Sequence, residues 1–123
     1  KPKKNYSTYL LTDGHRIAQR QKIQKLKLGR FFKKIFVTHE FGVNKMKPNL
    51  HCFKIIKKKE KVKWSEIIYV GDNPNKDFIN LNSVGAVTIR VLTGPFKKMI
   101  TNKKFDAKYK VNNLSKIDLN LFD

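Results

Sequence analysis

The sequence is short of acid. It has 9 Asp+Glu against 28 Lys+Arg, for a formal net charge of +19 and a pI near 10.2. A charge of that size favours polyanionic partners: nucleic acid, an acidic membrane surface or a phosphorylated compound. Arginine is scarce among the cations, 4 against 24 lysines, and the lysines are spread along the whole chain. Nucleic-acid surfaces use more arginine and interleave aromatics, so a solvated lysine-rich surface explains the charge better, and nucleic acid is the lesser expectation. The single cysteine, Cys52, excludes an internal disulfide and points to a reducing compartment. No apolar run approaches the ~18 residues of a membrane span. No signal-type apolar segment is present either, so the expected home is the cytoplasm, away from membranes. The start, "KPKKN", lacks methionine, which makes it a processed end or the beginning of a fragment. There is no internal repeat and no linker. At 123 residues, 40% of them hydrophobic, the chain forms one domain at most and can bury a core.

What is present alternates. "YSTYLLT" (6–12) reads as a strand stopped by Asp13–Gly14, and "HRIAQRQKIQKLKL" (15–28) as a helix with a ragged apolar stripe. "KIFVT" (34–38) is a second strand. In "KPNLHCFKIIKKKEK", Pro48 suits a first helical position. Leu50, Phe53 and Ile56 would face inward there, with Lys54, Lys57, Lys58 and Lys61 outward. "EIIYVG" (66–71) is a continuous apolar strand, as at the centre of a parallel sheet covered on both faces. "NKDFINLNSVG" (75–85) predicts a short helix buried through Phe78, Leu81 and Val84 and stopped by Gly85. "AVTIRVL" (86–92) is a fourth strand, "AKYKV" (107–111) a small edge strand and "LSKIDLNLF" (114–122) a terminal helical turn. Strand–helix alternation with short connections predicts an α/β fold of Rossmann-like three-layer type, its sheet mostly parallel.

Ligands of such sheets bind outside the carboxyl ends of the strands. The residues at those ends are Thr12, Asp13 and Gly14; Thr38, His39 and Glu40; Gly71, Asp72 and Asn73; and Leu92, Thr93 and Gly94, with Lys47 opening the second helix. Carboxylates suit Mg²⁺, while a hydroxyl, backbone N–H groups and a lysine suit phosphate oxygens, a combination that fits phosphoryl chemistry. Taken singly each group has a plainer reading. Gly71–Asp72 also fits an ordinary turn, Asp77 a helix's first turn, and Thr12 a strand end or cap. His15, His39 and His51 share no ligand spacing with Cys52 and read as structural or surface residues.

Together, "LLTDG", "KMKPNLHCF" and "YVGDNPNKDF" resemble, in order and spacing, the second, third and fourth motifs of the haloacid dehalogenase superfamily of hydrolases. The resemblance covers roughly residues 6–112. It implies a Mg²⁺-dependent phosphatase acting on a small phosphorylated substrate, although dehalogenases and phosphotransferases share the scaffold. It also implies that Thr12 and Lys47 are catalytic groups binding the phosphoryl oxygens, with Asp13 in the same phosphate-binding turn, more to orient it than to react. Asp72 is the implied metal ligand. Asp77 is the implied supporting acid, on the metal through water or bonded to the loop. The family's nucleophile, the first Asp of a DxDxT-type motif, has no counterpart here, because the first acidic residue is Asp13. Residues 1–123 therefore resemble the C-terminal portion of a core domain whose central first strand lies elsewhere, on a preceding N-terminal segment or another chain. The alternative reading is a basic protein that binds RNA or another polyanion, a degenerate relative of that family.

Overall fold

Leu11, Ile35 and Val37 are buried where two short strands lie side by side. They belong to the first of two compact units in a computed structural model of the chain, which describes residues 6–119. One unit runs up to Cys52 and the other from Phe53 onward. In the first, β1 (Tyr9–Thr12) pairs in parallel with β2 (Lys34–Val37), Leu11 opposite Phe36 and Thr12 opposite Val37. Between them runs α1 (Arg16–Lys25), and its one buried residue, Ile23, packs with Ile35 and Val37 under Leu10, Leu28 and Phe32. That single contact is the ragged stripe seen in the sequence. Helix α1 stops earlier than its propensity suggests, because Lys27 turns into the left-handed region at φ 53° and a 3₁₀ turn, Leu28–Phe31, follows. Strand β1 is shorter than expected because its partner is only 4 residues long. Beyond the ladder, Thr8 O still accepts from the Lys33 N–H at 2.7 Å.

The helix expected to open at Pro48 does not. Met46–Asn49 form a turn closed by the Asn49 N–H to Met46 O at 2.9 Å, with a cis Lys47–Pro48 peptide. Asn49 Oδ1 then accepts the His51 N–H at 2.7 Å, and α2 runs His51–Glu60. Asparagine's local side-chain bond competes with a helical start and instead caps the helix that follows it.

In the second unit Phe53 of α2 is buried, Lys54 and Lys58 are exposed, and Ile56 is half-buried, as is Leu50 at the end of the first unit. Phe53 meets Tyr69 edge-on, with ring centroids 5.0 Å apart. Strands β3 (Ile68–Gly71), β4 (Val87–Val91) and β5 (Tyr109–Val111) pair in parallel, in that order. Helix α3 (Ile79–Val84) leads from β3 to β4. It buries Leu81 while Val84 is half-buried, and Gly85 ends it at φ 90°, with the Ala86 N–H returned to Leu81 O. The expected start at 75 gives way to a turn, because the amides of Lys76 and Asp77 both bond to Asn73 O. Strand β3, expected at a sheet centre, stands at the edge of these three strands and is half-buried throughout, whereas β4 is buried from Thr88 to Val91. Among the described residues β1 pairs only with β2, and β3 only with β4. The terminal stretch forms a single 3₁₀ turn, Leu114–Lys116, and residues 120–122 of that expected element lie outside the described residues. No helix among the described residues is long and apolar enough to cross a membrane. The architecture is α/β of the Rossmann-like class, with parallel pairing throughout.

The apolar strand "AVTIRVL" hides one cation. Arg90, on β4, is only 2% exposed. Its Nη2 donates to Phe96 O and Met99 O, both at 2.8 Å, and its Nη1 faces the Asp106 carboxylate at 3.3 and 3.4 Å.

Candidate functional site

The candidate residues lie in two groups of loops, one in each unit. In the first unit, the carboxyl end of β1 delivers Thr12, Asp13 and Gly14. Gln19, in the first turns of α1, reaches back to them. Its Nε2 donates to Thr12 Oγ1 at 3.0 Å and to Asp13 O at 2.6 Å. Gly14 has φ +125°, and a Cβ there would lie 3.0 Å from Gln19 Cγ, so both the backbone angle and the Gln19 contact call for glycine. Asp13 Oδ1 accepts from Thr38 Oγ1 at 2.5 Å and from the Lys47 N–H at 3.1 Å. One carboxylate thus ties together the ends of β1 and β2 and the backbone of Lys47. This is a positioning arrangement, since the carboxylate is engaged with donors of its own chain and, being negative, would repel an anion rather than bind it. Thr12 and Lys47 are half-buried.

Thr38 is 1% exposed, so its bond to Asp13 can be tested cleanly. Thr38→Val keeps the shape and removes the donor. It is expected to lower unfolding free energy by about 1.5–3 kcal/mol, the range for a hydrogen bond to a charged group. Thr38→Ser should recover most of that loss in urea denaturation. Equal stability of Val and native proteins would show that the bond contributes nothing.

Two other groups near these loops are accounted for. Glu40, a strand-end residue, forms a two-pronged pair with Arg20 at 2.8 and 2.7 Å. That hydrogen bond first, and the Arg20 charge second, hold Glu40 below the usual carboxylate range despite some burial. Burial, reinforced by the Asp13 charge, pushes the Cys52 thiol up, which keeps it a thiol and a poor nucleophile.

In the second unit, the carboxyl end of β3 delivers Gly71, Asp72 and Asn73. Asp77 is 4% exposed and turned back under this loop. Its Oδ2 accepts the Asp72 N–H at 3.1 Å and the Asn73 N–H at 2.9 Å. Gly71 makes this possible, because a Cβ there would sit 2.5 Å from Asp77 Oδ2. The Asp72 carboxylate is left at the rim, half-buried. Beside it passes Gly94, at φ +73°, where a Cβ would lie 3.4 Å from Asp72 Oδ2. Among the described residues, no three His, Cys, Asp or Glu side chains gather to hold a metal ion. The carboxylate at the end of β3 is a single hard oxygen donor, of the kind that could serve a cation keeping several waters.

The order of these loops in the chain matches a known pattern. A family model described as haloacid dehalogenase-like hydrolase matches residues 2–91. The chain belongs to the haloacid dehalogenase-like hydrolases. Among curated relatives, the glyceraldehyde 3-phosphate phosphatase of Methanocaldococcus jannaschii is 34% identical over 88% of this chain and 46% of its own length. The enzyme of the same name from Pyrococcus furiosus is 32% identical over 94% of this chain and 47% of its own length. The chain thus spans about half the length of the curated relatives it matches. Solved haloacid dehalogenase folds superpose well. The Bacillus subtilis hydrolase YfnB, solved bound to magnesium, gives a TM-score of 0.74 at 19% identity, covering 96% of this chain and 50% of its own. A phosphatase from Thermococcus onnurineus gives 0.72 at 23% identity, covering 90% and 48%.

Of the five candidates, Thr12 is the last residue of β1, and Asp13, Lys47, Asp72 and Asp77 fall on loops that follow strands or precede α2. Gln19 and Arg90 were not among the sequence candidates. Gln19 had no signal, being one polar residue on a polar helix. Arg90 had one: a charge in the middle of a buried strand demands partners.

Proposed function

We propose that this chain is part of a Mg²⁺-dependent phosphatase acting on a small phosphorylated substrate. The observation that carries the reading is the β3 loop. Asp77, buried, holds the amides of Asp72 and Asn73, and so fixes the Asp72 carboxylate at the strand end without spending it on the loop. Asp72 would be this chain's ligand to Mg²⁺, which, when bound, supplies positive charge to the phosphoryl group. Asp77 serves the metal through the loop it fixes. Thr12 Oγ1, oriented by Gln19, and Lys47, whose backbone is tied to Asp13, would hold phosphoryl oxygens. Asp13 keeps that turn in shape.

The nucleophilic aspartate is assigned to a segment outside this chain, preceding it or on a partner, whose strand would also complete the sheet. That aspartate would attack phosphorus and break its bond to the substrate's oxygen, releasing the alcohol and forming an aspartyl-phosphate, which water then hydrolyses to inorganic phosphate and the free carboxylate. Glyceraldehyde 3-phosphate is the first compound to try, because the curated relatives are named for it.

The test uses the full-length protein. Asp72→Asn is expected to abolish Mg²⁺-dependent hydrolysis of an aryl phosphate while leaving the protein folded by circular dichroism. Undiminished hydrolysis rejects the role of Asp72. Tight, steeply salt-dependent RNA binding with no Mg²⁺-dependent hydrolysis would favour the polyanion-binding alternative.

A further inference from the structure

The 94–99 segment connects β4 to the rest of the second unit and passes beside Asp72. Its backbone bonds, the Lys97 N–H to Gly94 O at 3.3 Å and the Met99 N–H to Phe96 O at 3.0 Å, lie inside the segment. They shape it without tying it to the sheet. The tie is Arg90, whose Nη2 takes both Phe96 O and Met99 O at 2.8 Å while Nη1 faces Asp106. At the near end of the same segment, Gly94 stands with φ +73° and no side chain, its Cβ position 3.4 Å from Asp72 Oδ2.

We propose that Arg90 is a positioning residue for the Asp72 ligand, pinning the 94–99 segment by two carbonyls so that Gly94 forms a fixed, side-chain-free wall beside the Asp72 carboxylate. The inference rests on the proposed metal role of Asp72. The wall limits where that carboxylate can turn, and its bare backbone leaves room for a cation with its waters. Arginine is required because its planar fork grips two carbonyls and a carboxylate at once. Lysine, a single point of charge, reaches fewer of them.

The test is Mn²⁺ binding to the full-length protein, read as free Mn²⁺ by electron paramagnetic resonance, with amide hydrogen exchange over residues 94–99. Arg90→Lys is expected to weaken Mn²⁺ binding by about 10–100-fold, as groups that orient metal ligands do, and to speed exchange in the segment. Gly94→Ala keeps Arg90 and alters the wall alone, and should also weaken Mn²⁺ binding. Asn82→Ala controls for general loosening, because Asn82 bonds Asp106 O, Lys104 O and Thr88 but not the segment. It should leave Mn²⁺ affinity unchanged. Native affinity in either folded Arg90→Lys or Gly94→Ala, or an equal loss in Asn82→Ala, overturns the inference. Asp72→Asn binding Mn²⁺ as tightly as native protein would instead sink the metal role of Asp72 itself.

Discussion

The Arg90→Met protein is expected to be less stable than native by about 3–5 kcal/mol, the range for removing one partner of a buried ion pair. Arg90 is 2% exposed and its partner Asp106 has a side chain only 12% exposed. Methionine fills much of the space but leaves Met99 O without its donor, Phe96 O with the Met99 N–H alone, and the Asp106 carboxylate without one of its cations. Burial pushes the Asp106 carboxyl up. Hydrogen bonds from Lys110 and the Ala107 N–H, with the charges of Lys110 and Arg90, more than reverse that and hold it below the usual carboxylate range. Lys110 Nζ, at 3.0 Å, remains after the substitution, which places the loss toward the lower end of the range. A double variant, Arg90→Met with Asp106→Leu, should recover part of the loss, since removing both charges of a buried pair is often close to neutral. It should not recover all, because Met99 O stays without a donor and Phe96 O keeps only the Met99 N–H. Urea denaturation of native, single and double variants measures this. A loss under about 1 kcal/mol in the single variant would show that water reaches these groups when the guanidinium is gone.

Gly71→Ala is expected to damage both stability and the candidate site. The new Cβ would lie 2.5 Å from Asp77 Oδ2, 2.9 Å from its Cγ and 3.1 Å from its Cβ. Asp77 cannot swing clear without giving up the amides of Asp72 and Asn73, and it has little free space at 4% exposure. The backbone or the carboxylate must move, at a cost of about 1–3 kcal/mol for overpacking. Either movement displaces Asp72. On the proposed function, hydrolysis should fall about a hundredfold, because misplacement of a reacting group by about 1 Å costs that much. Adding Asp77→Ala removes the two shortest contacts, leaving the one at 3.1 Å, and should restore part of the stability without restoring activity, since the loop amides then lack their acceptor. Urea denaturation and aryl phosphate hydrolysis on the same preparations separate the two effects. Native behaviour in both assays would refute the packing argument.

These variants mark where the sequence was informative and where it was not. The strand–helix alternation was legible because each element carries its own period and its own stop, as with Gly85 at φ 90° after α3. The positions of Thr12 and Asp72 were legible because the strand ends could be located, and Lys47 was placed by the "KMKPNLHCF" pattern before the second helix. The helix start was misplaced because Pro48 permits a first turn, while Asn49, two residues before His51, decides it through its side chain.

By itself, then, the sequence determined the order of elements, the strand-end positions and the family pattern, all of which depend on neighbours close in the chain. Only the tertiary structure decided what each acid does. Asp13 meets donors 25 and 34 residues away, at Thr38 and Lys47, and Arg90 meets an acid 16 residues on. Asp77 folds back on its own loop because Gly71 leaves the space. Long-range partners of this kind depend on how strands and loops come together in space, and no periodicity in the chain encodes them.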